Sequence, residues 1–524
     1  MSRWLNAGEI LRANAALFPD KMGAKDLKRS MTFRQWNERS CRLANALLGL
    51  GLEKGDRFAV LAYNCVEWME IYAAAAKAGL VVVPLMFRLA PPEFEYILRD
   101  SGARAFIVEK PFVEGVDSIR VNLPDLKSYI YLGQDPAPSG YQHYEEIMAQ
   151  ASPDEPQVEV HHRDVWTFMY TSGTTGKPKG AVRTHESYLA FYILNVVEMG
   201  FNRRDLGLLV MPMCHVNSIY YSFSFTFCQA GVCVYNQVSF DPEHLLKTLA
   251  EEKITFTSLV PTHYIMMLAL PDQVKNKYDV SGVRKLLCSS APARKDTKLA
   301  ILEHFQNSEL FEAYGSTEAG LVTLLRPEDQ MRKLGSIGRE IFGTDVIKLL
   351  DMNRNEVSAG EVGELFSRGP ALFTEYWNLP EKTREAFFGQ YFSAGDMARR
   401  DEEGYYYLVD RKKNMIITGG ENVYPSEVEN VVGAHPKVRD VAVIGVPDPK
   451  WGEAIKAVVV LHAGIEPSKE LEREIINFCQ GKIAGYKRPK SVDFIADHEM
   501  PRTGTGKILH RALRERYGKW SDQR

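Results

Sequence analysis

A layered α/β fold is expected for the larger part of this chain, followed by a smaller unit of mixed strands and helices. Three observations carry the expectation. Helical and strand patterns alternate over residues 1–130, which builds sheets covered by helices. The length of 524 residues exceeds what one hydrophobic core supports and suits two or three domains. After Asp410-Arg411-Lys412-Lys413 the pattern changes to a compact run of about 110 residues, a sensible size for a small domain.

The elements follow in order. Apolar spacing predicts a helix over 33–50 and a strand over 57–62. The most apolar stretch, 72–87, is interrupted by Lys77 and Pro84 and is too short to span a bilayer. It reads as a helix feeding a buried strand over 80–85. Residues 91–100 form a helix with proline near its start, and 104–108 a strand. A Pro/Gly-rich surface loop covers 134–140. The run 165–170 reads as a buried strand, and the α/β pattern resumes over 183–311. Short apolar runs on either side of 351–355 look antiparallel. An aromatic strand over 404–410 ends the larger part. In the smaller part, helices are expected over 425–433 and 468–479, and strands over 441–446 and 455–461.

Composition excludes several classes. Apolar content of 45% and charged content of 25% are ordinary for a globular protein. A net charge of −3 gives no reason to expect a nucleic-acid surface. The seven cysteines (Cys41, Cys65, Cys214, Cys228, Cys233, Cys288 and Cys479) form no C-x-x-C pair, and their odd number argues against a disulfide framework. They read as reduced thiols of a cytoplasmic protein. The first residues carry Glu9 and no long apolar run, so no signal peptide is expected, and Ser521-Asp522-Gln523-Arg524 is no peroxisomal address.

Five segments carry chemistry. Residues 170–180 hold Thr171, Ser172, Gly173, Thr174, Thr175, Gly176, Lys177, Pro178, Lys179 and Gly180. Glycines let backbone approach a ligand, hydroxyl and N–H groups donate to phosphate, and lysines add charge. Pro178 stands where a Walker loop has Ser or Thr. A flexible hairpin is the other reading. In Glu312-Ala313-Tyr314-Gly315-Ser316-Thr317-Glu318, a ring followed by glycine can wall an adenine, and Glu318 is a hard oxygen ligand. The other reading makes Tyr314 core and Glu318 a surface charge. Ser393-Ala394-Gly395-Asp396 places a carboxylate after a turn, able to accept two ribose hydroxyls. Asp410 to Asn422 contains Arg411, Lys413 and the pair Gly419-Gly420. Pro501 to Lys507 is a glycine-bounded loop presenting one lysine, whose mobile charge suits a group gaining negative charge in attack.

These five segments, in this order, resemble the signatures of the adenylate-forming superfamily: acyl-CoA synthetases, luciferases and non-ribosomal peptide adenylation domains. The resemblance covers residues 10–510. It implies a large N-terminal domain, 1–410, of layered α/β sheets with a small β-barrel-like part, and a small mobile α+β C-terminal domain, 411–524. It implies an AMP-forming acid–CoA ligase. The acid is first activated as acyl-AMP with release of pyrophosphate, then transferred to the CoA thiol. ATP and CoA are co-substrates and Mg2+ the cofactor.

The resemblance also carries residue roles. Lys507, Glu318, Thr174 and His215 are implied to be catalytic. ATP would be held by residues 171–177 with Lys179, by 312–317, and by Asp396, Arg411 and Lys507. Mg2+ would meet Thr171 and Glu318. Ala394 and Glu312 depart from the residues usual at those positions. His215, Asn217, Ser290, Ala291, Gly315 and Ile337 would line the acyl site. Gly419, Gly420 and Glu421 would border the CoA channel, and Lys413 falls on the hinge position. His185 and His263 read as structural. Tyr220, Tyr221, Phe223 and Phe225 would crowd one side of the acyl pocket while Ser289, Ser290 and Ala291 leave room on the other. That favours a short-chain, medium-chain or aromatic acid. The expected partners are small molecules, with a homodimer as the expected assembly and no nucleic acid or integral membrane segment. The rival readings are an enzyme loading a separate carrier protein, a luciferase-like oxygenase, and a nucleotide-binding homologue without catalysis.

Overall fold

The structure, a computed structural model, describes residues 6–171, 177–289, 293–503 and 506–518. Internal contacts divide these residues into two units. The first runs to Ile347 and includes Phe366–Ala394 and Gly404–Tyr406. The second comprises Lys348–Leu365, Gly395–Glu403 and the chain from Tyr407 onward.

The first unit is built on two sheets. The eight-stranded sheet has the order Glu375–Tyr376, Lys179–Thr184, Val165–Thr171, Val81–Pro84, Arg57–Leu61, Ala105–Glu109, Ser128–Leu132 and Gln142–His143. The nine-stranded sheet has the order Arg339–Glu340, Gly320–Leu325, Glu309–Ser316, Lys285–Ser289, Phe256–Leu259, Leu206–Leu209, Gly231–Val234, Met22–Asp26 and Ser30–Thr32. Inner strands such as Val81–Pro84 and Gly231–Val234 are buried at every residue, which is why they read as unbroken apolar runs.

Local signals fixed many of these elements. Thr32 caps the helix Phe33–Gly49 with a capping box completed by Gln35. Pro91 opens the helix Pro91–Ser101. The expected helix and strand of the apolar stretch are Glu67–Ala78 and Val81–Pro84. Residues 220–225, readable as helix or strand edge, lie within the helix Val216–Phe227. Trp166 packs edge-on against Tyr72, Tyr188 and Phe223, with ring centres 6.0, 4.9 and 5.3 Å away, and so knits strand to helices. Among the described residues, no helix is long and apolar enough to cross a membrane.

The second unit contains, apart from the terminal residues Phe366 and Tyr406, a four-stranded sheet, Lys348–Leu350, Val362–Phe366, Asp396–Arg400 and Tyr406–Arg411, and a five-stranded sheet. The latter centres on the long antiparallel pair Val438–Asp448 and Gly452–Leu461, with Ile416–Thr418, Glu421–Val423 and Ser491–Phe494 beside it. Helices Pro425–Gly433 and Lys469–Phe478 contribute Val428, Val432, Leu471 and Ile475 to its core.

Candidate active site

Open parallel sheets bind ligands beyond the carboxyl ends of their strands, where the order of strands reverses. In the nine-stranded sheet that point is at Leu206–Leu209. The chain passes from it to Gly231–Val234 on one side, then returns to Phe256–Leu259 on the other. His215 caps the helix that follows: its Nδ1 accepts from the Asn217 N–H at 3.3 Å. The Asn217 Nδ2 donates to Ser258 Oγ at 3.0 Å and Ser289 Oγ at 3.3 Å, and the two hydroxyls are 3.4 Å apart. One amide and two hydroxyls thus gather at the reversal point. Ser289 pairs in register with Ala313, next to Tyr314. Ser290 and Ala291 lie outside the described residues.

The approach to His215 is fixed from a distance. Asn64 Nδ2 donates to Met211 O at 3.1 Å, its Oδ1 accepts from Met213 N–H at 2.8 Å, and Tyr72 O–H donates to Met213 O at 2.8 Å. The rings expected to crowd this region are taken up largely by the core. Phe223 faces Trp36 and Trp166, Phe225 faces Phe201 and Phe256, and Tyr220 stacks on Phe191 at 3.7 Å. Tyr221 packs on Phe256 at 5.0 Å. His185 and His263 are held by stacking, on Trp166 and Phe240, and burial pushes them down to about 3 and about 4.

The glycine-rich loop joins two antiparallel strands, Val165–Thr171 and Lys179–Thr184, with Thr171 opposite Lys179. Ser172, Gly173, Thr174, Thr175 and Gly176 lie outside the described residues. A second hairpin, Glu309–Ser316 with Gly320–Leu325, presents Thr317 and Glu318 at its turn. Gly315 is required there: a Cβ would stand 2.0 Å from Gly320 O. Tyr314 is half-buried, and Ser316 Oγ accepts from Ala319 N–H at 2.9 Å.

The two hairpins bring together residues far apart in sequence. Thr171 Oγ1 donates to Glu318 Oε1 at 3.5 Å, and Tyr376 O–H donates to the same oxygen at 2.8 Å. Lys179 Nζ lies 3.8 Å from the Tyr376 ring centre. Burial pushes its pKa down and the Glu318 charge opposes that. Lys177 faces the Tyr96 ring at 5.3 Å. No three His, Cys, Asp or Glu gather as a metal site among the described residues. A carboxylate and a hydroxyl are nevertheless a fitting protein share for Mg2+, which takes few protein oxygens and fills its shell from phosphate and water.

Glu312 points elsewhere. Its carboxylate is buried in an ion pair with the fully buried Lys298, and it accepts from Ala293 N–H at 3.2 Å. Burial pushes its pKa up, with Lys298 opposing. Ile337 is tied by backbone, its N–H donating to Tyr406 O at 2.9 Å and its carbonyl accepting from Thr323 Oγ1 at 2.6 Å.

Within the second unit, Asp396 and Arg411 form an ion pair at 2.7 Å, with Asp396 buried. Lys412 N–H donates to Gly395 O at 2.8 Å. Lys413 lies in a short 3₁₀ turn, Lys412–Asn414. Its carbonyl accepts from Arg514 Nη1 at 3.0 Å. Burial, then repulsion from Arg411, Arg514 and Arg511, pushes its ammonium down to about 8, and Asp396 opposes this. Gly419 and Gly420 form the turn between Ile416–Thr418 and Glu421–Val423, both at positive φ (61° and 85°), the geometry of a two-residue hairpin. A Cβ on Gly419 would stand 2.9 Å from the Trp451 ring, and Glu421 is exposed. The backbone of Lys507 makes two hydrogen bonds with Thr503: its N–H donates to Thr503 Oγ1 at 3.1 Å and its carbonyl accepts from Thr503 N–H at 2.7 Å. Its pKa is pushed down by desolvation and by Arg411, with Asp396 opposing.

Tyr376, Ser258, Lys298 and Asn64 carry no motif, and only the tertiary contacts reveal them. A buried tyrosine or serine in an apolar run has no signature of its own.

The structure thus sets the Thr171–Glu318 contact at the ends of two hairpins and an Asn217–Ser258–Ser289 cluster at the reversal point of the nine-stranded sheet. Comparison with known proteins identifies the family. Residues 11–377 match the AMP-binding enzyme family, and 427–507 match the AMP-binding enzyme C-terminal domain. The chain is 37% identical over 518 residues to long-chain-fatty-acid–CoA ligase FadD13 of Mycobacterium tuberculosis, covering 98% of each. It is 37% identical over 492 residues to feruloyl-CoA synthase of Amycolatopsis sp, covering 93% of this chain and 94% of the relative. The crystal structure of the anthranilate CoA ligase AuaEII with anthranoyl-AMP aligns with a TM-score of 0.88 and 30% identity, over 99% of this chain and 98% of that one. The chain belongs to the AMP-binding enzyme family. Its activity is that of an AMP-forming acyl-CoA synthetase, with ATP and CoA as substrates.

Proposed function

We propose that the acid is short-chain, medium-chain or aromatic, and that the residues brought together above carry the two half-reactions. The observation that carries the reading is the meeting of Thr171 and Glu318 from segments 147 residues apart. In the first half-reaction an acid oxygen attacks the α-phosphorus of ATP and pyrophosphate leaves. A carboxylate is a weak nucleophile toward a polyanion, so alignment and charge neutralisation carry the catalysis. The loop 171–177, with Thr174, and Lys179 would cradle the phosphates. Tyr314, Gly315, Ser316 and Thr317 would face the nucleotide, with Ala313 behind them and Glu312 bracing the wall through Lys298. Asp396 and Arg411 would hold the ribose. Lys507 would meet the charge that develops as the carboxylate attacks. Glu318 and Thr171 would hold Mg2+, which neutralises charge between phosphates when bound.

In the second half-reaction the CoA thiol attacks the acyl carbonyl and AMP leaves. We assign Gly419, Gly420 and Glu421 to the thiol channel, Lys413 to the hinge, and the boundary between mobile parts to 410/411. Ser290, Ala291, Gly315 and Ile337 join His215 and Asn217 around the acid. The Asn217–Ser258–Ser289 cluster gives this wall hydrogen-bonding capacity, which suits compact acids better than a long alkyl chain. A likeness to feruloyl-CoA synthase and to an anthranilate CoA ligase supports the aromatic option. The proposed location is the cytoplasm and the proposed assembly a homodimer, read by fractionation and light scattering.

The test is pyrophosphate release and acyl-CoA yield across short, medium, long and aromatic acids. Best turnover is expected on an acid of the compact classes. Turnover confined to long-chain acids would refute the acid assignment, and acyl-AMP formed without CoA transfer would refute CoA as acceptor.

A further inference from the structure

Arg183 follows the glycine-rich segment in the strand Lys179–Thr184, and none of the roles above uses it. It is fully buried. Its hydrogen-bond partners are backbone carbonyls: Nη1 donates to Thr317 O at 2.5 Å and Nη2 donates to Ala371 O at 2.7 Å. Its guanidinium carbon lies 4.9 Å from the ring centre of Tyr188 and 5.2 Å from that of Tyr220. Removing a permanent cation from water is costly, and neutral carbonyls and ring faces return only part of that cost. Packing alone does not call for an arginine, because an apolar side chain of similar volume fills such a site as well or better.

What the two carbonyls share is Glu318. Thr317 O belongs to the peptide bond leading into Glu318. Ala371 begins the segment on the other side: Phe373 N–H donates to Glu318 O at 2.7 Å, and Tyr376 O–H donates to Glu318 Oε1 at 2.8 Å. One planar fork therefore ties the turn that carries the carboxylate to the segment that orients it. The fork geometry matters, because lysine offers a point charge and cannot span two carbonyls with the same rigidity.

We infer that Arg183 is a positioning residue for Glu318, acting on magnesium–nucleotide binding through the two backbone segments that hold the carboxylate. The inference rests on Glu318 as the Mg2+ ligand. The test is calorimetric binding of ATP without acid, repeated across a Mg2+ titration. The proteins are the parent, Arg183→Lys, Arg183→Met, Glu318→Gln and the double variant Arg183→Lys/Glu318→Gln. Loss of a residue that orients a metal ligand costs about 10- to 100-fold in metal affinity, so Arg183→Met should raise the Mg2+ midpoint by about tenfold or more. Arg183→Lys should raise it less, and should add little once Glu318 is Gln, because the arginine acts through that carboxylate. A parental midpoint in folded Arg183→Met and Arg183→Lys overturns the inference. So does an equal shift from Arg183→Lys in both backgrounds. If Glu318→Gln itself leaves the midpoint unmoved, the ligand assignment fails and takes this inference with it. A moved Glu318→Gln midpoint with unmoved arginine variants defeats the arginine's role alone. Should Arg183→Met fail to melt cooperatively, Arg183→Lys and Tyr376→Phe, which deletes one hydroxyl on Glu318, carry the test in its place.

Discussion

The role proposed for Lys507 needs its charge, and the residue sits where that charge is harder to keep. Desolvation by the surrounding protein and repulsion from Arg411 both favour the neutral amine although the residue is exposed, so its pKa lies below the ordinary 10.5. The sign for catalysis follows: the charged form is present at low pH and is lost as pH rises through the lowered value. Pyrophosphate release should therefore fall on the alkaline side earlier than an unperturbed lysine would allow, and Lys507→Arg should move that limb upward, read in a pH–rate profile. Lys507→Ala should slow acyl-AMP formation by about 10²-fold, the scale of losing one partner to a developing charge. Thioester formation from supplied acyl-AMP should suffer far less, and equal loss in both half-reactions would contradict separate roles. Gly315 is a steric case. Its Cβ would meet Gly320 O at 2.0 Å, across the hairpin that presents Glu318. Gly315→Ala should cost on the order of 1–3 kcal/mol by overpacking and lower nucleotide affinity, read by thermal melting and ATP calorimetry.

At the scale of elements, the turn Lys412–Asn414 joins the strand Tyr406–Arg411 to the strand Ile416–Thr418. Its conformation is held by side chains from elsewhere in the same unit. Arg514 donates to Lys413 O, Asn414 Nδ2 donates to Asp410 Oδ1 at 3.2 Å, and Asp410 Oδ2 accepts from Ser426 N–H at 2.8 Å. A hinge needs a few residues that absorb φ/ψ change rather than a particular side chain. Lys413→Pro, which fixes φ, should retain substantial acyl-AMP formation and lose most thioester formation, whereas Lys413→Ala should do much less. The two products, assayed separately on folded protein, decide it: thioester formed at the parental rate by the proline variant would put the hinge elsewhere.

For the whole molecule, His185 sets a limit on the acid side. It is buried against Trp166 and held neutral, its pKa pushed down to about 3 from 6.5 by burial. A group with a lowered folded pKa binds fewer protons folded than unfolded. Its contribution is therefore intact above 6.5 and lost as pH falls below it. Lowering the pH from 7 to 5 should cost about 2 kcal/mol through this residue. His185→Phe keeps an aromatic on Trp166 and should flatten that part of the dependence in urea unfolding at the two pH values. An unchanged slope would mean that His185 titrates normally.

The sequence by itself determined most of the element types, the order of the five chemical segments and the family. Periodicity, caps and glycines act within a few residues, so the helix Phe33–Gly49 and the hairpin turn Gly419-Gly420 are written locally. The pairing of the strands that flank the glycine-rich segment was less clear. The sequence allowed those runs to pair, but only the structure sets Thr171 opposite Lys179. Tertiary structure alone decided which groups meet. It turned Glu312 toward Lys298, sent Phe223 and Phe225 into the core, closed Tyr376 on Glu318, and placed Arg183 beneath the turn. The physical reason is that such contacts depend on strand register and helix packing between segments that local pattern does not connect, 58 residues apart for Tyr376 and Glu318 and 134 for Arg183 and Thr317. No local pattern of residues encodes which distant carbonyl or carboxylate a buried side chain will find.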